Sequence, residues 1–521
     1  MLKLFYNCIF VAIVGQTNQI TMQKHMKSLV VIIFTIAFNF FFWKEKFGVN
    51  IVLFTFSFGT ILYLLHPDQQ SKKPTIIAIA GISLSSVAIL YHNSLFSKFM
   101  LFSSIFLFIA SLVEKEIKTI YYLIPSGFLG IITSPFRKNS FYTGSNNTST
   151  GNTLKWIKLS VIPFAILVLF TSIYSFANPV FANKVNELID NLGSYFSNIF
   201  KYYPFTRFLF IGLGLLIGVG IYYFKSIGLF DEREKNHKTD LVRQKTIAAR
   251  IFPMLALKAE LNGAIITILM LNLLLLFLNM LDFNVFFVQD SSSITDNFAS
   301  NLHRGTSMLI FSIFLSAAIV LYIFRGNINF YKKNKFLKTV TYIWIVQNMI
   351  LSLYVVVRVY HYILHHGLAY KRIGVVIFVI ATVVGLITLI KKVQHRKTVS
   401  YLFRINGISI YAILVISAMF NWDGIIASHN LKHAKTKSID YIFELSMSDK
   451  TLPILDKNRD ILALNNNKYK NSNYSFSWTK SQTLLEKLDQ RISDFKRKEE
   501  KRSWLSWNYS DYITSDYFKK K

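Results

Sequence analysis

The stretch TYIWIVQNMILSLYVVVRVYHYILHHGL, residues 341–368, holds the side chains most able to do chemistry. Read as a helix, it places Gln347, Tyr354, Arg358, His361 and His365 on one face, because steps of seven, four, three and four residues return close to the same angle. A polar stripe thus runs down an otherwise apolar helix. A guanidinium in lipid costs several kcal/mol unless it pairs, snorkels or meets water. Two readings of Arg358 follow. It centres a pocket for an anionic solute or lipid headgroup, or it reaches the interface and holds a helix end. His361, His365 and His366 invite a metal, but no Cys or acidic residue stands beside them at ligand spacing, so no metal centre is expected.

Other polar residues in apolar runs have plainer uses. LKAELNG puts Glu260 where a new apolar run begins. There it could pair with an Arg, take up a proton, or sit as a first-turn carboxylate stabilised by the helix dipole. Asn272 and Asn279, one heptad apart in that run, read as glue between helices. Gly214 and Gly218 in IGLGLLIGVG form a small-xxx-small pair, a signal for close backbone approach rather than phosphate binding. The chain contains no HExxH, nucleophile elbow, paired-carboxylate motif or Walker-type loop, so no catalytic residue and no cofactor site is read from it.

The elements that position these residues follow from composition. With 52% hydrophobic, 16% aromatic and 16% charged residues, 48 of them Phe, the 521-residue chain is too apolar for a water-soluble enzyme. Its apolar residues fall in many runs with short polar connections, the pattern of repeated membrane crossings. The formal charge of +31 would suggest nucleic acid in a soluble protein. Here it is topological information, since Lys and Arg collect in cytoplasmic loops. With Cys8 as its one cysteine, the chain can form no internal disulfide and no thiolate cluster.

A bilayer core of about 30 Å needs roughly 20 helical residues. That ruler predicts about twelve spans, near 29–43, 49–65, 75–91, 95–113, 119–134, 156–177, 206–224, 261–281, 306–324, 338–357, 373–390 and 401–420. The expected architecture is therefore an all-α, polytopic membrane protein. An N-terminal segment, 1–28, could be a signal-like core, an extra span or an extension ahead of Met22 or Met26. A first membrane part, 29–134, is joined by a polar linker, 135–155, to a second, 156–420. A water-exposed tail, 421–521, follows.

The basic loops FRKNS, DEREKNHKTDLVRQK, YKKNK and KKVQHRK are expected to be cytoplasmic, which places the tail outside. Lys72, Lys73, Lys371 and Arg372 then fall on outer loops, so the alternation is imperfect. Residues 183–200 read as an amphipathic helix, either in the outer interface or packed between spans. In the tail, Leu485, Leu488, Ile492 and Phe495, behind a Thr483/Glu486 capping box, predict an exposed amphipathic helix that ends in the solvated run FKRKEEKR.

Three segments, HRGTSMLIFSIFLSAAIVLYIFRGNINFYKKN, YIWIVQNMILSLYVVVRVYHYILHHGLAYKRIGV and YLFRINGISIYAILVISAMFNWDGIIASHNL, resemble a family of bacterial multi-spanning membrane proteins known only as a domain of unknown function. The resemblance covers roughly residues 30–460. Its most specific pieces are Gln347-Asn348, Arg358, the run Ala369 to Gly374 and Asn421-Trp422-Asp423. It implies a bacterial inner-membrane protein and brings no activity. It also implies an acidic or amide residue where this chain has Arg304. Trp422 suits an interface, and Asp423 is expected to cap the helix after it.

Three functions are consistent with these residues. A transporter-like protein would use Arg358, Gln347, Tyr354, His361, His365 and Glu260 to bind an anionic solute or lipid headgroup. A non-catalytic envelope scaffold or regulatory subunit would recruit a protein partner through its tail. A membrane enzyme acting on a lipid-linked substrate is least supported. Membrane lipids are expected partners in every case, and nucleic acid in none.

Overall fold

Runs of Leu, Ile, Val and Phe offer no side-chain partners for backbone N–H and C=O groups. In lipid such a run must satisfy them internally, as a helix. The computed structural model shows this throughout. It describes residues 16–137, 170–175, 177–196, 205–226, 239–243, 257–284, 296–434, 439–465 and 483–521, with a few isolated positions between them.

The membrane part comprises α1 (Gln16–Phe42), α2 (Val49–Leu64), α3 (Lys73–His92), α4 (Leu95–Val113), α5 (Ile120–Thr133), α6 (Pro179–Phe196), α7 (Phe205–Tyr222), α8 (Leu257–Phe283), α9 (Asp296–Ile323), α10 (Lys335–His366), α11 (Tyr370–Gln394) and α12 (Val399–Ser417). By length and composition, 8 of its helices can cross a membrane; α2, α5 and part of α9 are shorter apolar helices. The span predicted at 156–177, the linker at 135–155 and the side chain of Arg304 lie largely or wholly outside the described residues.

Two cores form. One joins α1 to α5 and α7, and the other joins α8 to α11. α12 ties them together: Tyr411 lies in the first core, and its hydroxyl meets Ser104 Oγ at 2.7 Å. The approach is so close that a Cβ on Gly81 would stand 1.8 Å from that hydroxyl. Gly214 and Gly218 do pack as a small-residue pair, seating Phe38 and Phe34 of α1 at 2.7 and 2.9 Å from where their Cβ atoms would be.

One predicted span begins and ends at the same end of the bundle. At the start of α5, Arg404 Nε donates to Thr119 Oγ1 (3.5 Å) and Arg404 also pairs with Glu234. At its end, Arg137 Nη1 donates to the carbonyls of Lys225 and Ser226, just beyond α7. Both ends therefore sit at the end of the bundle where α7 finishes and α12 begins. Fourteen residues with Pro125 inside amount to about 21 Å, too short for the hydrocarbon core. With α5 dipping in and returning, Lys72 and Lys73 move to the same end as Lys225, Lys332, Lys333, Lys391 and Lys397. The anomaly they posed in the loop-charge scheme disappears. Lys371 and Arg372 stay at the opposite end.

That opposite end carries the tail: α13 (Trp422–Lys432), α14 (Tyr441–Ser446), α15 (Leu452–Lys457), α16 (Arg459–Leu464), α17 (Leu484–Glu500) and α18 (Tyr509–Lys520). The capping box closes α17 as expected. Its apolar face, however, is not exposed: Leu484, Leu488, Ile492 and Phe495 join a core with Leu452, Leu455 and Leu462. The neighbouring short helices cover the face that the sequence left bare. The following basic run is partly paired, Arg502 bridging Glu499 and Asp511.

In a Cys8→Ser background, Asp68→Cys is expected to react with an impermeant thiol reagent from the same membrane face as Lys333→Cys, and Lys432→Cys from the other. Labelling of Asp68→Cys and Lys432→Cys from one face would restore α5 as a full crossing.

Candidate functional site

α8 and α10 pack along their length and carry the polar residues noted in both. Asn272 Nδ2 donates to Val340 O (3.1 Å) and Asn279 Nδ2 to Gln347 O (3.3 Å). Both bonds join residues separated by 68 positions, so the helices run parallel in fixed register. Three residues beyond Asn279, Asp282 accepts from Arg358 Nη2 in an ion pair whose side chains are 7% and 16% exposed. Asp282 stands one residue past the predicted span 261–281. It closes the stripe.

The structure thus brings together Gln347, Tyr354 and Arg358 on the α8–α10 seam, and not the other candidates. Glu260 is half-buried in the first turn of α8, 22 residues from Asp282, roughly 33 Å along the helix. His365 is exposed near the end of α10; His361 is half-buried one turn beyond Arg358. His366 stacks on Tyr362 with ring centroids 4.5 Å apart. Among the described residues no group of three His, Cys, Asp or Glu side chains is placed to hold a metal. Along the seam, the buried oxygens Asn272 Oδ1, Asn279 Oδ1, Asp282 Oδ2 and Gln347 Oε1 accept no hydrogen bond. Acceptors left this way in a low-dielectric interior cost free energy, and they suit water or a proton-bearing group better than an anion.

A second polar cluster joins tail and bundle. Asp423 does not cap α13; Asn421 does, its Oδ1 accepting from Gly424 N (3.2 Å). The Asp423 carboxylate instead accepts from Tyr370 Oη (2.7 Å) and Ser448 Oγ, and pairs with Lys450 Nζ (3.0 Å). Lys450 also donates to His92 O at the end of α3 (3.1 Å). One lysine of the tail therefore links α3, through His92, to Asp423, which in turn holds Tyr370 of α11. The ammonium and these donors hold the Asp423 carboxyl below its ordinary range even though burial opposes them.

Nearby, Asn430 imitates a strand partner of Leu368: Oδ1 accepts from Leu368 N (2.6 Å) and Nδ2 donates to Leu368 O (2.8 Å). The same Nδ2 donates to Glu444 Oε1 (2.6 Å). Glu444 is 0% exposed, its Oε2 has no partner, and burial raises its carboxyl to about 7. Beyond the motif at 421–423 these partnerships leave no local pattern, because each joins residues at least 14 positions apart in the chain.

A family model described as Domain of unknown function (DUF4153) matches residues 76–458. No curated protein and no solved structure matches the chain.

Arg358→Ala or Asp282→Ala strands one buried charge and is expected to destabilise the bundle by about 3 to 5 kcal/mol, read from unfolding in detergent. For Glu444, a raised carboxyl means that the folded chain binds the proton more tightly than the unfolded one. Its contribution, about 3 kcal/mol when complete, is present below the ordinary carboxylate range and lost as pH rises through about 7. The melting temperature should fall between about pH 4.5 and 7, and Glu444→Gln should flatten that slope.

Proposed function

Because the chain belongs to the family described as Domain of unknown function (DUF4153), whose description carries no activity, we propose from its geometry that this integral membrane protein is a non-catalytic platform. It holds a folded tail at one membrane face for a protein partner. Loop charge supports the basic end as cytoplasmic and the tail as extracytoplasmic. The observation that carries the platform reading is the Arg358–Asp282 pair: the one strong charge of the stripe is met by a carboxylate of the neighbouring helix, so the stripe braces α8 against α10. The tail fits this role, since it has its own core and is fixed to α3 through Lys450 and to α11 through Asp423.

A second reading, a carrier with Arg358 as part of its path, is favoured by the row of unbonded acceptors along the same seam, which would meet the proton-bearing groups of a solute whose anionic group goes to Arg358. Opening the pair would free Arg358 for an anionic solute or headgroup. The bracing role and the path role separate in one variant. Replacing a buried ion pair by apolar residues of similar volume is often neutral or stabilising, so Arg358→Met with Asp282→Leu should fold.

Native mass spectrometry of the full chain, extracted from its own membrane, then decides. A stoichiometric protein retained by the double variant supports the platform. A small molecule present in the natural chain and lost from the folded double variant would replace it with the carrier.

A further inference from the structure

At the tail end, α11 and α12 part to leave a trough of about 420 Å³ between them. Ile373, Ile377 and Ile380 line one side, Ile413 and Ile416 the other. Ile380 and Ile416 are 49% and 54% exposed although they belong to helices apolar enough to cross a membrane, so the trough opens sideways on the lipid-facing surface. Its walls are hydrocarbon almost throughout. Water gains nothing by filling such a space, whereas an acyl chain loses no hydrogen bonds there.

The polar groups of the trough stand at one end. Arg372, in the first turn of α11, is held by its Nη1, which donates to His366 O (2.9 Å) and Gly367 O; its guanidinium lies 4.5 Å over the Tyr362 ring. Among the described residues no carboxylate forms an ion pair with Arg372, in contrast to Arg358 and Arg404. The exposed Lys371 is adjacent. Trp422 closes the same end, its indole Nε1 donating to Ser417 O (2.8 Å). Trp at that level is the residue type that settles between headgroups and chains. An oriented cation without a counter-charge, beside an interfacial Trp and above a hydrocarbon trough, complements a molecule with one anionic end and one aliphatic end.

We infer that the trough between α11 and α12 binds one anionic phospholipid, an acyl chain lying along the isoleucines and the phosphate meeting Arg372. The site is separate from the α8–α10 seam and stands whether the chain is a platform or a carrier.

The full-length protein, delipidated in detergent, is titrated with phosphatidylglycerol and with phosphatidylcholine of the same chain length, and bound lipid is counted by native mass spectrometry. One phosphatidylglycerol should be held about fivefold more tightly than phosphatidylcholine, the preference set by one cation at the interface. Arg372→Gln should equalise the two lipids. Ile413→Trp, which fills the trough without touching the charge, should abolish retention of both. Equal binding of the two lipids by the natural chain, or undiminished binding by Ile413→Trp, would falsify the assignment. Because Arg372 also holds the end of α10, a variant that fails to fold at that position leaves the decision to the lipid comparison and to Ile413→Trp, and each can overturn the proposal alone.

Discussion

Two parallel helices with a charge on each can close a buried ion pair in one register only, and Arg358 with Asp282 sets that register for α8 and α10. Slipping by a residue would place a guanidinium against hydrocarbon, at a cost of several kcal/mol. Much else hangs on the choice. α10 is 32 residues long, and its last two turns run past the pair to Gly367 and Leu368. Those residues meet Asn430, and through Asn430 the tail and the buried Glu444. The same turns supply the carbonyls that hold Arg372. The seam in the membrane thus determines where the tail and the groove are built.

The second constraint is the joint between the halves. α12 inserts Tyr411 against Ser104 where Gly81 leaves room, and on the tail side Lys450 spans from Asp423 to His92. One joint lies within the apolar layer and one at its edge. A hinge between the halves would have to break both, so these contacts oppose relative motion of the two cores. That is the mechanical property expected of a platform.

Much of this was legible in the chain. The ruler of about 20 residues found the long helices, because lipid leaves the backbone no alternative to helix. Asn272, Asn279 and the Gly214/Gly218 pair were read correctly as packing groups, since their one-heptad and four-residue spacings need only one helix to be seen. The failures share a different cause. α5 has span-like hydropathy, and its ends are held on one side by tertiary contacts, Arg404 at its start and Ser134 and Arg137 at its end. α17 looked solvent-facing because the helices that cover it are each 6 residues long and leave no periodic signal. Asp282 stands just past its predicted span, and nothing near it in the chain points to a partner 76 residues away. The Arg358 stripe was visible as a face, but whether that face met a ligand or a carboxylate was a question of tertiary contact.

The stacking of Tyr91 on Tyr509, ring centroids 5.5 Å apart, also has a history written into it. The two residues are 418 positions apart, so a ribosome working at about 5 to 20 residues per second leaves Tyr91 waiting for roughly 20 to 80 s. During that interval the first four membrane helices are already made while their outer ends are unroofed. The Tyr91–Tyr509 stack therefore closes late, once α18 has been made.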